Sequence, residues 1–139
     1  MGFLAHIFPK QPPVSLHEKL IAGCLAFMSI VVLWSLKETY PAPFSNILLA
    51  SMGATAVLLF ATPHSTLVQP YAILGGHVVS ALIGIAAQRF VPAPYAAAVA
   101  VGLAITLMHL FHCLHPPGGA TALYAVTGGP KMVAAVKSA

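Results

Sequence analysis

Seven histidines stand against only two carboxylates in this 139-residue chain. His109, His112 and His115 lie three apart, His77 stands in an earlier apolar stretch, and His64 falls between stretches. Steps of three residues turn a helix by about 300°, so the trio would form a slowly drifting stripe along one face. Three roles compete for these rings: anion attraction or proton exchange along a pathway, metal ligation, and hydrogen bonding to backbone carbonyls in a packed interior. His109 and His112 could ligate a metal together. The chain has no Asp, however, and its two Glu residues, Glu18 and Glu38, flank the first apolar stretch, so a carboxylate ligand or general base is missing. Enzymatic catalysis is disfavoured for the same reason: Ser, Cys and His occur without an acidic orienting partner. No cofactor is implied.

A second group of residues offers hydroxyls and uncovered backbone. Gly53-Ala54-Thr55-Ala56 returns 66 positions later as Gly119-Ala120-Thr121-Ala122, directly after His115-Pro116-Pro117-Gly118. Both copies lie in hydrophobic stretches, and we expect each to mark an interruption at which a short helix opens. The first N–H groups of a helix lack intrahelical partners, and its dipole places roughly half a positive charge there. Two such N-termini facing each other would hold an anion. On this reading Gly53, Ala54, Thr55, Gly118, Gly119, Ala120 and Thr121 supply backbone and hydroxyl ligands. Pro116 and Pro117 set the turn, and His77, His112 and His115 set the field or exchange a proton. The alternative for the same residues is a tight turn with packed small side chains.

The elements that position these groups follow from composition. Hydrophobic residues make up 59% of the chain and charged residues 6%, against about 25% charged in soluble domains. Too few polar groups remain to cover a water-facing surface, whereas lipid is a suitable solvent. The expected class is therefore all-α: a polytopic transmembrane helix bundle of about four hydrophobic segments plus a short re-entrant or half helix. The segments run from about Leu20 to Leu36, Phe44 to Ala61 (read as a broken helix), Tyr71 to Arg89 and Tyr95 to Leu114, the first long enough for a bilayer that needs about 20 apolar residues. Gly76, Ser80 and Gly84, and again Ala98, Gly102 and Thr106, put small residues on one helical face, so the third and fourth segments are expected to pair. Cys24 and Cys113 belong to no paired-cysteine motif and are read as packing residues.

Residues 1–17 are expected to be a cytoplasmic tail, residues 18–130 the membrane domain and residues 131–139 a short tail. The two repeats become inverted if Phe44 to Ala61 crosses fully, as in many secondary transporters. The formal net charge of +4 is scattered singly, leaving no basic patch for nucleic acid. The N-terminal stretch lacks transit-peptide character, which favours a bacterial inner membrane over an organelle envelope.

The segment His115-Pro116-Pro117-Gly118-Gly119-Ala120-Thr121-Ala122-Leu123 resembles the signature of the HPP family of small integral membrane proteins. Gly53 to Ala61, Pro63-His64-Ser65, Gln69-Pro70, Gly75-Gly76-His77 and Ser80 to Gly84 are similar to that family's preceding blocks in the same order. Members in cyanobacteria and plastids are associated with nitrite transport, so the resemblance implies a carrier of nitrite or another small monovalent anion. The family normally continues after Thr127-Gly128-Gly129-Pro130 with a last long span, whereas residues 131–139 are too short and too charged to cross. A truncated chain or a covering subunit would account for this, and association with a second copy is expected. Two classes remain: a small-anion transporter, and a non-transporting structural or regulatory membrane module that works with a partner subunit.

Overall fold

A computed structural model describes residues 13–37 and 42–128, with side chains placed for 13–36 and 50–128. The described residues form five α-helices: α1 (Leu16–Lys37), α2 (Ala42–Ala61), α3 (Pro70–Phe90), α4 (Ala93–Leu110) and α5 (Pro117–Thr127), with a 3-10 turn at Thr66–Val68. Stretches within α1, α3 and α4 are long and apolar enough to cross a membrane, and α2 contains the apolar helical stretch Ala50–Ala61. The helix α5, 11 residues long, reaches only about 16 Å at 1.5 Å per residue. It is the expected half helix. The short tail at 131–139 lies outside the described residues, as does most of the N-terminal one.

The first helix opens earlier than Leu20 because Ser15 and Glu18 cap it reciprocally. The Ser15 N–H donates to Glu18 Oε2 at 2.8 Å and the Glu18 N–H donates to Ser15 Oγ at 3.2 Å, satisfying two donors that a helix start leaves without partners. α1 packs along α2, and its large side chains Leu20, Phe27 and Trp34 remain exposed, as suits contact with lipid.

α3 is the centre of the bundle and packs against both α4 and α5. The expected stripe Gly76, Ser80, Gly84 is buried, but its tightest contacts are with α5 and the turn before it. A Cβ at Gly84 would lie 2.5 Å from Ala125 Cβ and 2.7 Å from the Ala122 carbonyl oxygen. On the other side of the contact, a Cβ at Gly118 would lie 2.7 Å from Ser80 Oγ and 2.9 Å from the Gly76 carbonyl oxygen. The two backbones therefore touch, which is how helices associate where lipid is as apolar as the helix surface. Gly118 beside Gly76 and Ser80, and Ala125 beside Gly84, make α5 run in the same direction as α3.

Three expectations are corrected. Phe44 to Ala61 is not broken: α2 continues through Gly53-Ala54-Thr55. One glycine costs a helix about 1 kcal/mol relative to Ala, whereas opening the ladder in lipid would strand donors at several kcal/mol each, on the order of the loss for any unpaired amide. The small residues Ala98, Gly102 and Thr106 face outward, and α4 instead buries Ala96, Ala100, Ala104 and Met108. The two sets differ by two residues, about 200° of helix rotation, and the alanines form the smoother surface. Finally, the three histidines form no stripe, because α4 stops between them.

That stop is a Schellman motif. The Cys113 N–H donates to the Met108 carbonyl at 2.9 Å and the His112 N–H to the His109 carbonyl at 3.1 Å, while His112 takes the left-handed backbone with φ 54°. Tyr71 Oη donates to the Phe111 carbonyl at 3.0 Å, tying the end of α4 to the start of α3. The chain then descends through His115-Pro116 to begin α5 beside the second turn of α3. Pro117 occupies the first helical position, where its missing N–H costs nothing.

Candidate functional site

The two Gly-Ala-Thr-Ala copies turn the same face inward. Thr55 and Ala56 are buried, as are Thr121 and Ala122, while Ala54 and Ala120 are exposed. Four residues before each threonine, Ser51 and Pro117 are also buried. α2 and α5 pack against each other, and the two threonines meet at the His77 ring, Thr55 reaching His115 as well.

His115 is fully buried at 0% exposure. Its Nδ1 lies 2.7 Å from the Leu67 carbonyl oxygen in the 3-10 turn, and a carbonyl only accepts, so Nδ1 carries the hydrogen. In the uncharged ring Nε2 then accepts, and Thr55 Oγ1, 2.9 Å away, donates to it. Thr55 Oγ1 accepts in turn from His77 Nε2 at 3.3 Å. His77 Nδ1 is left to accept from Thr121 Oγ1 at 2.9 Å. Every bond in this sequence has one direction, and all can be made with both rings uncharged. The rings meet edge to face, centroids 5.0 Å apart. His77 is half-buried, whereas Thr55, His115 and Thr121 are buried.

Each hydroxyl has a second acceptor within its own helix. Thr55 Oγ1 lies 3.1 Å from the Ser51 carbonyl and Thr121 Oγ1 3.5 Å from the Pro117 carbonyl. Side chains of the charged residues Glu18, Lys19 and Arg89 are exposed, at helix ends away from this network.

The structure divides the residues singled out from sequence. Thr55, Thr121, His77 and His115 come together. His112 sits exposed in the Schellman turn, and His64 and His109 are also exposed. Gly118 is a packing contact to α3. Gly53 and Gly119 face open space, two residues and about 200° from their threonines. Pro116 precedes α5 and is exposed, and Pro117 is buried.

The expected pair of bare helix N-termini is absent. In the first copy the helix is continuous, and in the second Gly118 N–H donates to the His115 carbonyl at 2.9 Å and Gly119 N–H to the Pro116 carbonyl at 3.0 Å. Side chains, not free backbone donors, are the polar groups here. Sequence reasoning missed the Leu67 carbonyl, which carries no residue-type signal. It also missed Ser51, whose place is visible only by laying it on Pro117 through the repeat. Cys113 is buried as a packing residue should be, whereas Cys24 is exposed on α1.

The sequence matches the family described as HPP, transmembrane region, over residues 11–137. The chain belongs to that family. Among curated proteins, a transmembrane protein of Dictyostelium discoideum is 39% identical over 127 residues, covering 86% of this chain and 44% of the relative. A second transmembrane protein of that organism is 45% identical over 84 residues, covering 57% of this chain and 27% of the relative. The chain thus spans less than half the length of these curated relatives. No solved structure matches it. Family membership and the three long apolar helices make this an integral membrane protein.

Proposed function

We propose that this HPP domain carries a small monovalent anion, nitrite in the first place, across a bacterial or cyanobacterial inner membrane. The observation that carries this reading is the convergence of Thr55 and Thr121, one from each sequence repeat, on the His77 ring, with His115 joined through Thr55. Hydroxyls and imidazole N–H groups are donors suited to a two-oxygen anion, and with no Asp in the chain and a formal net charge of +4 nothing nearby repels it. Approach is from the half-buried His77 edge. An inverted relation of the repeats and association with a second copy belong to the same reading.

Purified protein in proteoliposomes, under an imposed proton gradient, should accumulate nitrite. Thr121→Val should abolish uptake while helical content and monodispersity persist. Absence of uptake, with no competing effect of nitrate, bicarbonate or formate, overturns the carrier reading.

One observation favours the other class. Among the described residues, no buried side-chain nitrogen or oxygen lacks a hydrogen-bond partner, so the network is complete without a ligand, as in a structural module that works with a partner subunit. On that reading Thr121→Val lowers protein yield and thermal stability and has no transport phenotype to lose.

A further inference from the structure

We propose that His77, Thr55 and His115 form a one-proton relay that takes a proton at the half-buried His77 and stores it on the fully buried His115. The distances and a spare acceptor supply the route. A proton arriving at His77 Nδ1 displaces the hydrogen bond from Thr121, whose hydroxyl turns to the Pro117 carbonyl at 3.5 Å. His77 Nε2 gives its hydrogen to Thr55 Oγ1 across 3.3 Å, and Thr55 passes its own hydrogen to His115 Nε2 across 2.9 Å. One proton has entered, His77 has changed from the Nε2–H to the Nδ1–H tautomer, and His115 has become an imidazolium. No bond between heavy atoms forms or breaks.

Both end states are fully hydrogen-bonded in the same backbone. Before transfer, Thr55 donates to His115 Nε2. Afterwards His115 Nε2 donates to Thr55 Oγ1, and the Thr55 hydroxyl, now carrying the hydrogen that came from His77, donates to His77 Nε2. His115 Nδ1 donates to the Leu67 carbonyl at 2.7 Å in both states. That carbonyl cannot pass a hydrogen onward, so the relay ends at His115 and stores a proton where a through-going wire would release it.

Among the described residues, the groups that surround His115 leave its charge uncompensated. α2 contributes Thr55, the 3-10 turn the Leu67 carbonyl, α3 His77 and α5 Thr121. The turn after α4 brings the Cys113 thiol, packed by Gly75. The exposed His109 and His112 sit at the end of α4, and Arg89 lies at the far end of α3. A buried cation without an opposite charge is strongly disfavoured, so a proton on His115 and a monovalent anion at the network favour each other. The class of cargo is then the elements of a weak monobasic acid, one proton with one anion. This last step rests on the carrier reading, whereas the relay does not.

Nitrogen-15 NMR of histidine-labelled protein in lipid nanodiscs tests the relay directly. At neutral pH the expected pattern is His115 protonated at Nδ1 only and His77 at Nε2 only. On acidification His115 should become doubly protonated while His77 moves its hydrogen to Nδ1, and added nitrite should bring this change to higher pH. Thr55→Val should confine protonation to His77, and Thr55→Ser should restore the wild-type pattern. A neutral His115 bearing its hydrogen on Nε2, or wild-type protein in which only His77 becomes doubly protonated, overturns the relay. Nitrite uptake separates the two ideas. The NMR pattern without uptake sinks the carrier and leaves the relay, and uptake by wild-type protein in which only His77 becomes doubly protonated sinks the relay and leaves the carrier.

Discussion

Thr55 and Thr121 bracket one imidazole: the first lies 3.3 Å from His77 Nε2 and the second 2.9 Å from His77 Nδ1. Each comes from the third position of a Gly-Ala-Thr-Ala copy, so the repeat written in the sequence is also a physical junction. The histidine between them belongs to neither copy's motif. Its two nitrogens differ in role because Leu67, through His115 and Thr55, sets the direction of every bond in the network.

His115 should be a large contributor to stability. His115→Ala removes a 0%-exposed ring and strands the Leu67 carbonyl, adding a cavity to an unpaired acceptor. Together these should cost about 2–5 kcal/mol. Thermal unfolding in detergent should show a drop of several degrees in Tm, and a Tm equal to wild type would contradict the hydrogen-bonded, close-packed site described for this residue.

Gly84 and Ala125 should behave as a coupled pair. Gly84→Ala places a methyl where Ala125 Cβ and the Ala122 carbonyl already stand, and forced separation of the backbones should cost about 1–3 kcal/mol. The double variant Gly84→Ala, Ala125→Gly relieves the methyl–methyl clash but not the carbonyl one. A double-mutant cycle on Tm should show partial rescue, and strict additivity would mean that the helices do not meet at these residues.

Two adjacent glycines should respond oppositely. Gly118→Ala collides with Ser80 Oγ and the Gly76 carbonyl, whereas Gly119 has nothing within 4 Å of its would-be Cβ. Gly119→Ala should be neutral or stabilise by about 0.5–1 kcal/mol through helix propensity, and Gly118→Ala should destabilise. Similar Tm changes in both variants would show that the face of α5 is assigned wrongly.

His112→Gly should stabilise the chain. A left-handed backbone costs a side-chain-bearing residue about 1–2 kcal/mol, less for histidine than for bulkier types, and glycine is the usual occupant of this cap position. The variant should keep whatever transport the wild type shows and raise Tm by a few degrees. Loss of transport with unchanged Tm would return His112 to the pathway.

Much of the bundle was legible because small residues in apolar surroundings carry positional meaning. Gly76, Ser80 and Gly84 marked a buried face, and the repeat marked Thr55 and Thr121. What misled was the tendency to treat glycine and histidine alike wherever they recur. Gly102 and Thr106 repeat the same spacing, yet Ala96, Ala100 and Ala104 form the contact, since alanine serves close packing as well as glycine and hides in an alanine-rich helix. The histidine trio failed because a spacing of three means a stripe only while the helix lasts. The identical Gly-Ala-Thr-Ala strings begin differently because only the second follows two prolines, and proline, not glycine, decides where an N–H can be missing. Leu67 enters through its backbone, which every residue shares.

The backbone contacts of Gly84 and Gly118 lock α3 and α5 into a single block, and His77 and His115 travel with it or with the turn that feeds it. From α2, Thr55 reaches both rings. Any sliding of the α1–α2 pair against that block must therefore pull on the two hydrogen bonds of that one hydroxyl. Displacing Thr55 by an ångström or so would stretch both of its imidazole contacts past the reach of a hydrogen bond. With the halves parted, a proton held on His115 could not leave by the route it came until they closed again.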